Sequence, residues 1–482
     1  MSVDPPARPA VRPDEPRPAV VVGGGVAGLA AALDLARQGR DVLLLEASAE
    51  VGGKLRTDVV GGVRVDVGAE AMLNRRPEGV DLARAAGLEV VHPDVVASRI
   101  WTRGALRPLP RSLMGVPLDL DQLEASGVLD DAELERVRAE RDLPPEALGP
   151  DDDVTVGDLV DRRLGPAVTD RLVEPLLGGV YAGHARAISA RAAVPQLVAL
   201  ASRGSLLDQA GTATPTYDAP VFAGLAGGMG LLPAALVRTL EATGGADVRT
   251  GTTVRALRRT PSGFALTVGP AAGSGEEVVE ASAVVLAVPA PAAARLLADV
   301  APAAAAEVGA IEAASVVVVT FAFRADDVLP HLGEEASGFL VPPVEDRRIK
   351  ASTFSYAKWG WVRDAGRGAG PGGEDLVHLR TSLGRHGEEA ALQVDDAELV
   401  RASREELREA TGLDAEPVDV HVQRWGGGLP QYAVGHLERV ARVRAAVAEV
   451  PGLAVCGAAY DGVGIPAVVA SAHRAVQDLG PA

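Results

Sequence analysis

A single cysteine, Cys456, stands among 482 residues, which excludes an internal disulfide framework and fits a reducing compartment. It follows an apolar strand and precedes Gly457, so the thiol reads as small core packing and not as a nucleophile. Aromatic residues make up only 3% of the chain. The core must therefore be built from Ala, Val and Leu. Basic residues are the minority: 47 Lys and Arg face 65 Asp and Glu, for a formal net charge of −18. That balance argues against a nucleic-acid partner and against attraction to anionic lipid by global charge, though not against local basic patches. No run of about eighteen apolar residues exists to span a bilayer. The nearest, Ala313 to Phe323, reads as a strand. Eight histidines are scattered without ligand spacing, so no metal site is expected. Residues 1–17 are rich in proline and charge and lack an apolar stretch, which reads as a disordered tail and not a signal peptide. A soluble, cytoplasmic protein is expected, with peripheral membrane contact left open.

What is present begins at Val20. Three valines read as a buried parallel strand, followed at once by Gly23-x-Gly25-x-x-Gly28, an alanine-rich helix, and a second strand from Asp41 to Leu45 ending on Glu46. Gly23 permits the tight turn, Gly25 lets the backbone approach a pyrophosphate, and Gly28 lets helix and strand pack closely. The helix N-terminus offers free N–H groups and a positive dipole end to phosphates. Glu46 stands where a carboxylate can accept hydrogen bonds from both hydroxyls of an adenosine ribose. The strand–turn–helix–strand context makes this a dinucleotide site. A second glycine pair with a basic stretch, Gly52-Gly53-Lys54-Leu55-Arg56-Thr57, favours FAD over NAD. Nicotinamide domains do not need such a segment, whereas in glutathione-reductase-like and amine-oxidase flavoproteins it packs beside the pyrophosphate and ribityl chain.

The remaining chain reads as an α/β protein: a discontinuous Rossmann-like FAD-binding domain, a mixed-sheet substrate domain and a helical insertion. The FAD-binding pieces are placed at 18–80, 220–300 and 420–482, the substrate domain at 81–114 and 301–419, and the insertion at 115–219. Asp130 to Arg141 and Val156 to Leu177 read as helical, and Phe264 to Val268 with Val278 to Glu280 as a hairpin. Arg363 to Asp375 reads as an exposed loop, and Ser355-Tyr356-Ala357-Lys358-Trp359 as part of the second sheet.

Further motifs spread over nearly the whole chain. They include Gly68-Ala69-Glu70-Ala71-Met72-Leu73 with Arg75-Arg76, Leu109-Pro110-Arg111, and Glu174-Pro175-Leu176-Leu177-Gly178-Gly179-Val180-Tyr181-Ala182-Gly183. Later come Gly227-Gly228-Met229, Ala287-Val288-Pro289-Ala290, Arg424-Trp425 and Cys456-Gly457-Ala458-Ala459-Tyr460-Asp461-Gly462-Val463-Gly464-Ile465-Pro466. In order and spacing this set resembles the protoporphyrinogen/coproporphyrinogen oxidase family of the flavin amine-oxidase superfamily. One departure is that Ala467 and Ser471-Ala472 stand where the family often has an aspartate and a Ser-Gly pair. The resemblance implies non-covalent FAD held at Gly23, Gly24, Gly25, Val26, Ala27, Gly28, Glu46, Ala47, Gly53, Lys54, Gly68, Ala69, Glu70, Ala71, Val254, Trp425, Gly457, Val463, Gly464 and Ile465.

It also implies oxidation of a porphyrinogen to a porphyrin in heme biosynthesis, six electrons in three flavin turnovers, each closed by O2 with release of H2O2. The cofactor would carry the redox chemistry, so no catalytic side chain is assigned. A downstream ferrochelatase is a candidate partner. The absence of a membrane span favours the four-propionate coproporphyrinogen III over protoporphyrinogen IX. Arg76, Lys358, Arg75 and Arg111 are the candidate carboxylate receptors, with Arg380 and Arg385 as further basic residues. Two other readings stay open: an amine or carotenoid oxidase, for which Trp425, Tyr432 and Tyr460 are the only late aromatic candidates, and a non-catalytic flavoprotein that carries porphyrin.

Overall fold

A computed structural model of the chain describes residues 17–149, 151–212, 220–271, 273 and 275–480. Residues 1–16 of the expected tail lie outside the described residues. Arg17, assigned to that tail, instead pairs with Glu280 at 2.6 Å.

Short runs of Val, Leu and Ala form a five-stranded parallel sheet in the order Ala246–Arg249, Val42–Leu45, Ala19–Val22, Ala283–Leu286, Leu453–Val455. The three central strands are buried throughout, as parallel strands covered on both faces must be. Strands adjacent in space come from the beginning, middle and end of the chain, which makes this unit discontinuous in sequence. Helices Val26–Arg37, Leu231–Glu241 and Ile465–Asp478 cover one face. The antiparallel strands Thr252–Thr260, Gly263–Pro270 and Glu277–Ala281, with helices Ala290–Leu297, Pro302–Gly309 and His436–Ala448, cover the other. Cys456 is fully buried in the first of these cores, and burial pushes its thiol up to about 12.

A seven-stranded mixed sheet forms the second body, in the order Asp419–Pro430, Ala313–Arg324, Leu376–Leu383, Ile349–Thr353, Gly338–Leu340, Arg99–Thr102, Ala105–Pro108. Residues 420–430, grouped by sequence with the nucleotide-binding pieces, pair here with Ala313–Arg324 because their valines and Trp425 match that strand's register. Two local expectations are corrected. Ser355–Lys358 is a helical turn following the strand Ile349–Thr353, and Arg363 belongs to a helix, Gly360–Gly366, whose Val362 is buried. The third body is helical, with its own core of Leu, Val, Ile and Tyr between Ile100 and Tyr432. Among the described residues no helix is long and apolar enough to cross a membrane.

Candidate cofactor and substrate site

The parallel strands end level with one another: Val22 lies opposite Leu286, and Leu286 opposite Val455. Their C-terminal ends therefore bring Gly23, Ala287 and Cys456 to one edge, where ligands of open parallel sheets bind. At this edge the glycines divide into two kinds. Gly23 has φ +107°, and a Cβ there would lie 2.5 Å from the Ala287 carbonyl; a Cβ on Gly28 would lie 1.8 Å from the Gly23 carbonyl. These two are required by the turn and by packing. Gly25 is different: its φ of −71° suits any residue, yet a Cβ there would meet nothing within 4 Å. Gly457 likewise borders open space, and Gly53 would touch only the Gly25 Cα, at 3.4 Å. Packing leaves these three glycines a cleft.

The cleft has an acidic end and a basic end. Glu46, after the second strand, accepts hydrogen bonds from the Gly24 N–H at 2.6 Å and from the Ser48 N–H at 2.8 Å. The Ser48 hydroxyl also donates to it, at 2.6 Å; the carboxylate is thereby aimed at the glycine turn, and its Oε2, engaged only by Gly24, keeps room for a hydroxyl donor. Ala47 follows it, and the Glu46 carbonyl accepts from Thr252 N–H at the start of the strand that carries Val254. Val254 itself is buried in the core behind the sheet. Val26 and Ala27 open the helix whose N-terminus faces the cleft. Lys54 is exposed, and partial desolvation by its neighbours lowers its ammonium below the ordinary lysine value.

From Lys54 the wall continues into the second body. The Lys54 carbonyl accepts from Ala69 N–H, and a Cβ on Gly68 would strike that carbonyl at 2.1 Å and Trp425 at 3.3 Å. The Gly68 carbonyl accepts from the Arg380 guanidinium at 2.7 Å. Ala71 packs against the core shared with Trp359. On the last strand's side, Gly464 caps the helix Ile465–Asp478, and Val463 packs against the helical body. Glu70 is buried and is gripped by three side chains: Lys358 at 2.6 Å, Arg380 at 3.3 Å and the Ser355 hydroxyl at 3.2 Å. Burial alone would raise its carboxyl, but Arg380 and Lys358 hold it down, to about 2. The helical turn explains the grip: Ser355 and Lys358, three apart, share one face.

The four expected carboxylate receptors do not converge. Lys358 is engaged by Glu70. Arg76 pairs with Glu78 at 2.6 Å and lines a cleft of about 460 Å³ with Tyr432, Arg444, Tyr460 and Arg474. Arg75 and Arg111 are exposed. Sequence reading also passed over Asp66, a buried carboxyl that accepts from the Met229 N–H at 2.9 Å and the Gly230 N–H at 3.1 Å. Burial pushes it up to about 7, opposed by those two donors. Asp66 continues the Val63-Arg64-Val65 alternation at a polar position, so the sequence carried no local signal of its burial. Among the described residues, no three His, Cys, Asp or Glu side chains are grouped to hold a metal. Tyr432 and Tyr460 are each 1% exposed and pack into separate cores, although both border the cleft that Arg76 lines.

Comparison with known proteins agrees with this geometry. A family described as flavin containing amine oxidoreductase matches residues 26–480. The chain belongs to this family. It is 38% identical to coproporphyrinogen III oxidase of Mycobacterium bovis over 474 residues, covering 96% of this chain and 97% of the relative. It is 28% identical to the protoporphyrinogen oxidase of Macaca fascicularis, with 95% and 97% covered. A solved structure from Exiguobacterium sp. 255-15, described as "Putative protoporphyrinogen oxidase", superposes with a TM-score of 0.83 at 32% identity, covering 96% and 98%. The resemblance read from the motifs holds at the level of family and fold. The chain is an oxidoreductase with a flavin site, and the open glycine cleft with Glu46 at its end fits a flavin dinucleotide.

Proposed function

We propose that the protein binds FAD non-covalently and oxidises coproporphyrinogen III to coproporphyrin III, with three O2 reduced to H2O2. The observation that carries this reading is the near full-length similarity to mycobacterial proteins named for that reaction. When bound, the flavin supplies the two-electron acceptor, and O2 restores it after each turnover. The rest falls to this chain. Glu46 would hold the ribose hydroxyls, while Gly25 and Gly53 leave room for the pyrophosphate beside the N-terminus of Val26–Arg37. Lys54 brings positive charge to the same cleft. The run Gly68–Glu70, pinned by Lys54 and Arg380, presents a rigid backbone edge between the two sheets. Rigidity matters because a hydride donor must be held close and aligned. No side chain needs to act as nucleophile, since the cofactor carries the electrons.

Protoporphyrinogen IX is the second reading, favoured by the similarity to the Macaca fascicularis enzyme. Oxygen uptake and porphyrin fluorescence with the two porphyrinogens, prepared anaerobically and supplied side by side, test both. Faster turnover of the four-propionate substrate is expected. Faster turnover of protoporphyrinogen IX would reverse the assignment, and binding without oxygen uptake would point to a carrier.

A further inference from the structure

We propose that Lys350 is a specificity-determining residue that receives one carboxylate arm of the substrate, on the wall between the mixed sheet and the helical body. The proposal rests on the reading of the substrate as a porphyrinogen carrying several propionates.

The pairing of Ile349–Thr353 with Leu376–Leu383 is irregular between Ile349 and Ala351. Ile349 enters the core shared with Leu399 and Leu407 of helix Asp396–Thr411. Lys350 instead reaches the helix Glu174–Tyr181, where its Nζ donates to the Gly178 carbonyl at 3.4 Å. Ile349 and Lys350 face opposite sides, as neighbours in a strand do; the irregularity leaves Lys350 without a partner of its own and sets it on the same side as Ala351. The helix-covered face is marked by Thr381, whose hydroxyl donates to Ser403. Arg380, next to Thr381, points the other way and reaches Gly68. Lys350 and Arg380 therefore share the face that looks toward the cofactor edge and the helical body. Arg380 is paired in register with Thr353, three residues from Lys350, or about 10 Å along the strand. That separation suits a flat macrocycle beside the Gly68 run with one propionate arm extended to Lys350.

The surroundings of Lys350 do not account for its charge. The residue is 6% exposed, and among the described residues its one hydrogen bond is long. Burying an ammonium is costly without a paired anion. The nearby charge is of the same sign, Arg385, and burial followed by that repulsion lowers the ammonium to about 7. Arg385 is itself occupied, donating to the carbonyls of Arg347 and Val341. Lys358 and Arg380 are occupied by Glu70. Beside Lys350 the helix offers space instead of packing: a Cβ on Gly178, which is buried, or on Gly179 would meet nothing within 4 Å. A buried cation bordering open space, on the face that carries the cofactor edge, is a receptor for a carboxylate.

The test uses flavin-loaded protein with Lys350→Met, which keeps length without charge, and Lys350→Arg, which restores charge. Binding of coproporphyrin III and of its uncharged tetramethyl ester is followed by fluorescence, and turnover by oxygen uptake. K350M should bind coproporphyrin III about 10- to 100-fold more weakly, the range for a hydrogen bond to a charged group. Its ester affinity, flavin content and unfolding midpoint should not fall, and KM should rise with kcat held. K350R should recover most of the affinity. Parent-like binding of coproporphyrin III by K350M overturns the assignment. So does an equal loss for the ester, or a loss of flavin or stability, since each would make the role structural. A parent protein that binds neither porphyrin overturns the proposed function and this assignment with it, whereas turnover by the parent alongside an unaffected K350M overturns the assignment alone.

Discussion

Replacing Glu70 by Gln keeps the shape and one acceptor but removes the charge on which Lys358 and Arg380 converge. The Glu70 side chain is 6% exposed, so solvent screens little of the interaction. Its carboxyl stands at about 2 against an ordinary value of 4.5. A difference of about 2.5 units corresponds to about 3 kcal/mol of preference for the ionised form in the fold, at about 1.4 kcal/mol per unit. That agrees with the roughly 3–5 kcal/mol seen when one partner of a buried pair is removed. The sign follows from the direction of the shift. A carboxyl whose folded value lies below its unfolded value contributes its stability above pH 4.5 and loses it as the pH falls towards 2. E70Q should therefore be about 3 kcal/mol less stable at pH 7. It should also show a shallower loss of stability between pH 4.5 and 3. Urea unfolding of flavin-free protein at several pH values measures both, since without flavin no binding contribution enters the stability. A difference under about 0.5 kcal/mol at pH 7, or an unchanged acid dependence, would refute the grip on Glu70 as a source of stability.

Gly25→Val should fold with a parent-like unfolding midpoint measured without cofactor, yet purify colourless, because the new side chain enters the cleft without striking protein; retained flavin absorbance would place the cofactor elsewhere. Glu46→Ala should weaken FAD by about 1.5–3 kcal/mol, read by titrating apoprotein, since a charge-assisted acceptor is lost; unchanged affinity would reduce Glu46 to a brace for Gly24. In the helical body Arg163 is 1% exposed and donates to Glu140 from Nε at 2.9 Å, while Glu140 also accepts from Ser205, Leu206 and Leu207. Arg163→Met should cost about 3–5 kcal/mol by stranding that carboxylate, visible as a lowered denaturation midpoint with flavin still bound; a neutral effect would mean that the three remaining donors suffice.

The amino-acid sequence alone determined the glycine-turn edge of the parallel sheet, because there the geometry is local. Within Val20 to Glu46 the backbone conformations, the close approach of Gly28 to Gly23 and the carboxylate at the strand end all follow from residues a few positions apart. The same holds for the helix after Gly464 and the strands from Ala313 and Leu376, whose periodicity is read directly. Tertiary structure decided which charges are free. Lys358 looked like a receptor until folding set it 2.6 Å from Glu70, which is 288 positions away in sequence. Arg76 and Lys350 differ little as letters. One stands paired and exposed at a helix start, while a strand irregularity turns the other into an enclosed wall without an acid. Burial and pairing are sums over contacts between distant segments. No local pattern of residue types contains them, so the glycine turn at the strand edge was legible in the sequence and the pairing of the charges was not.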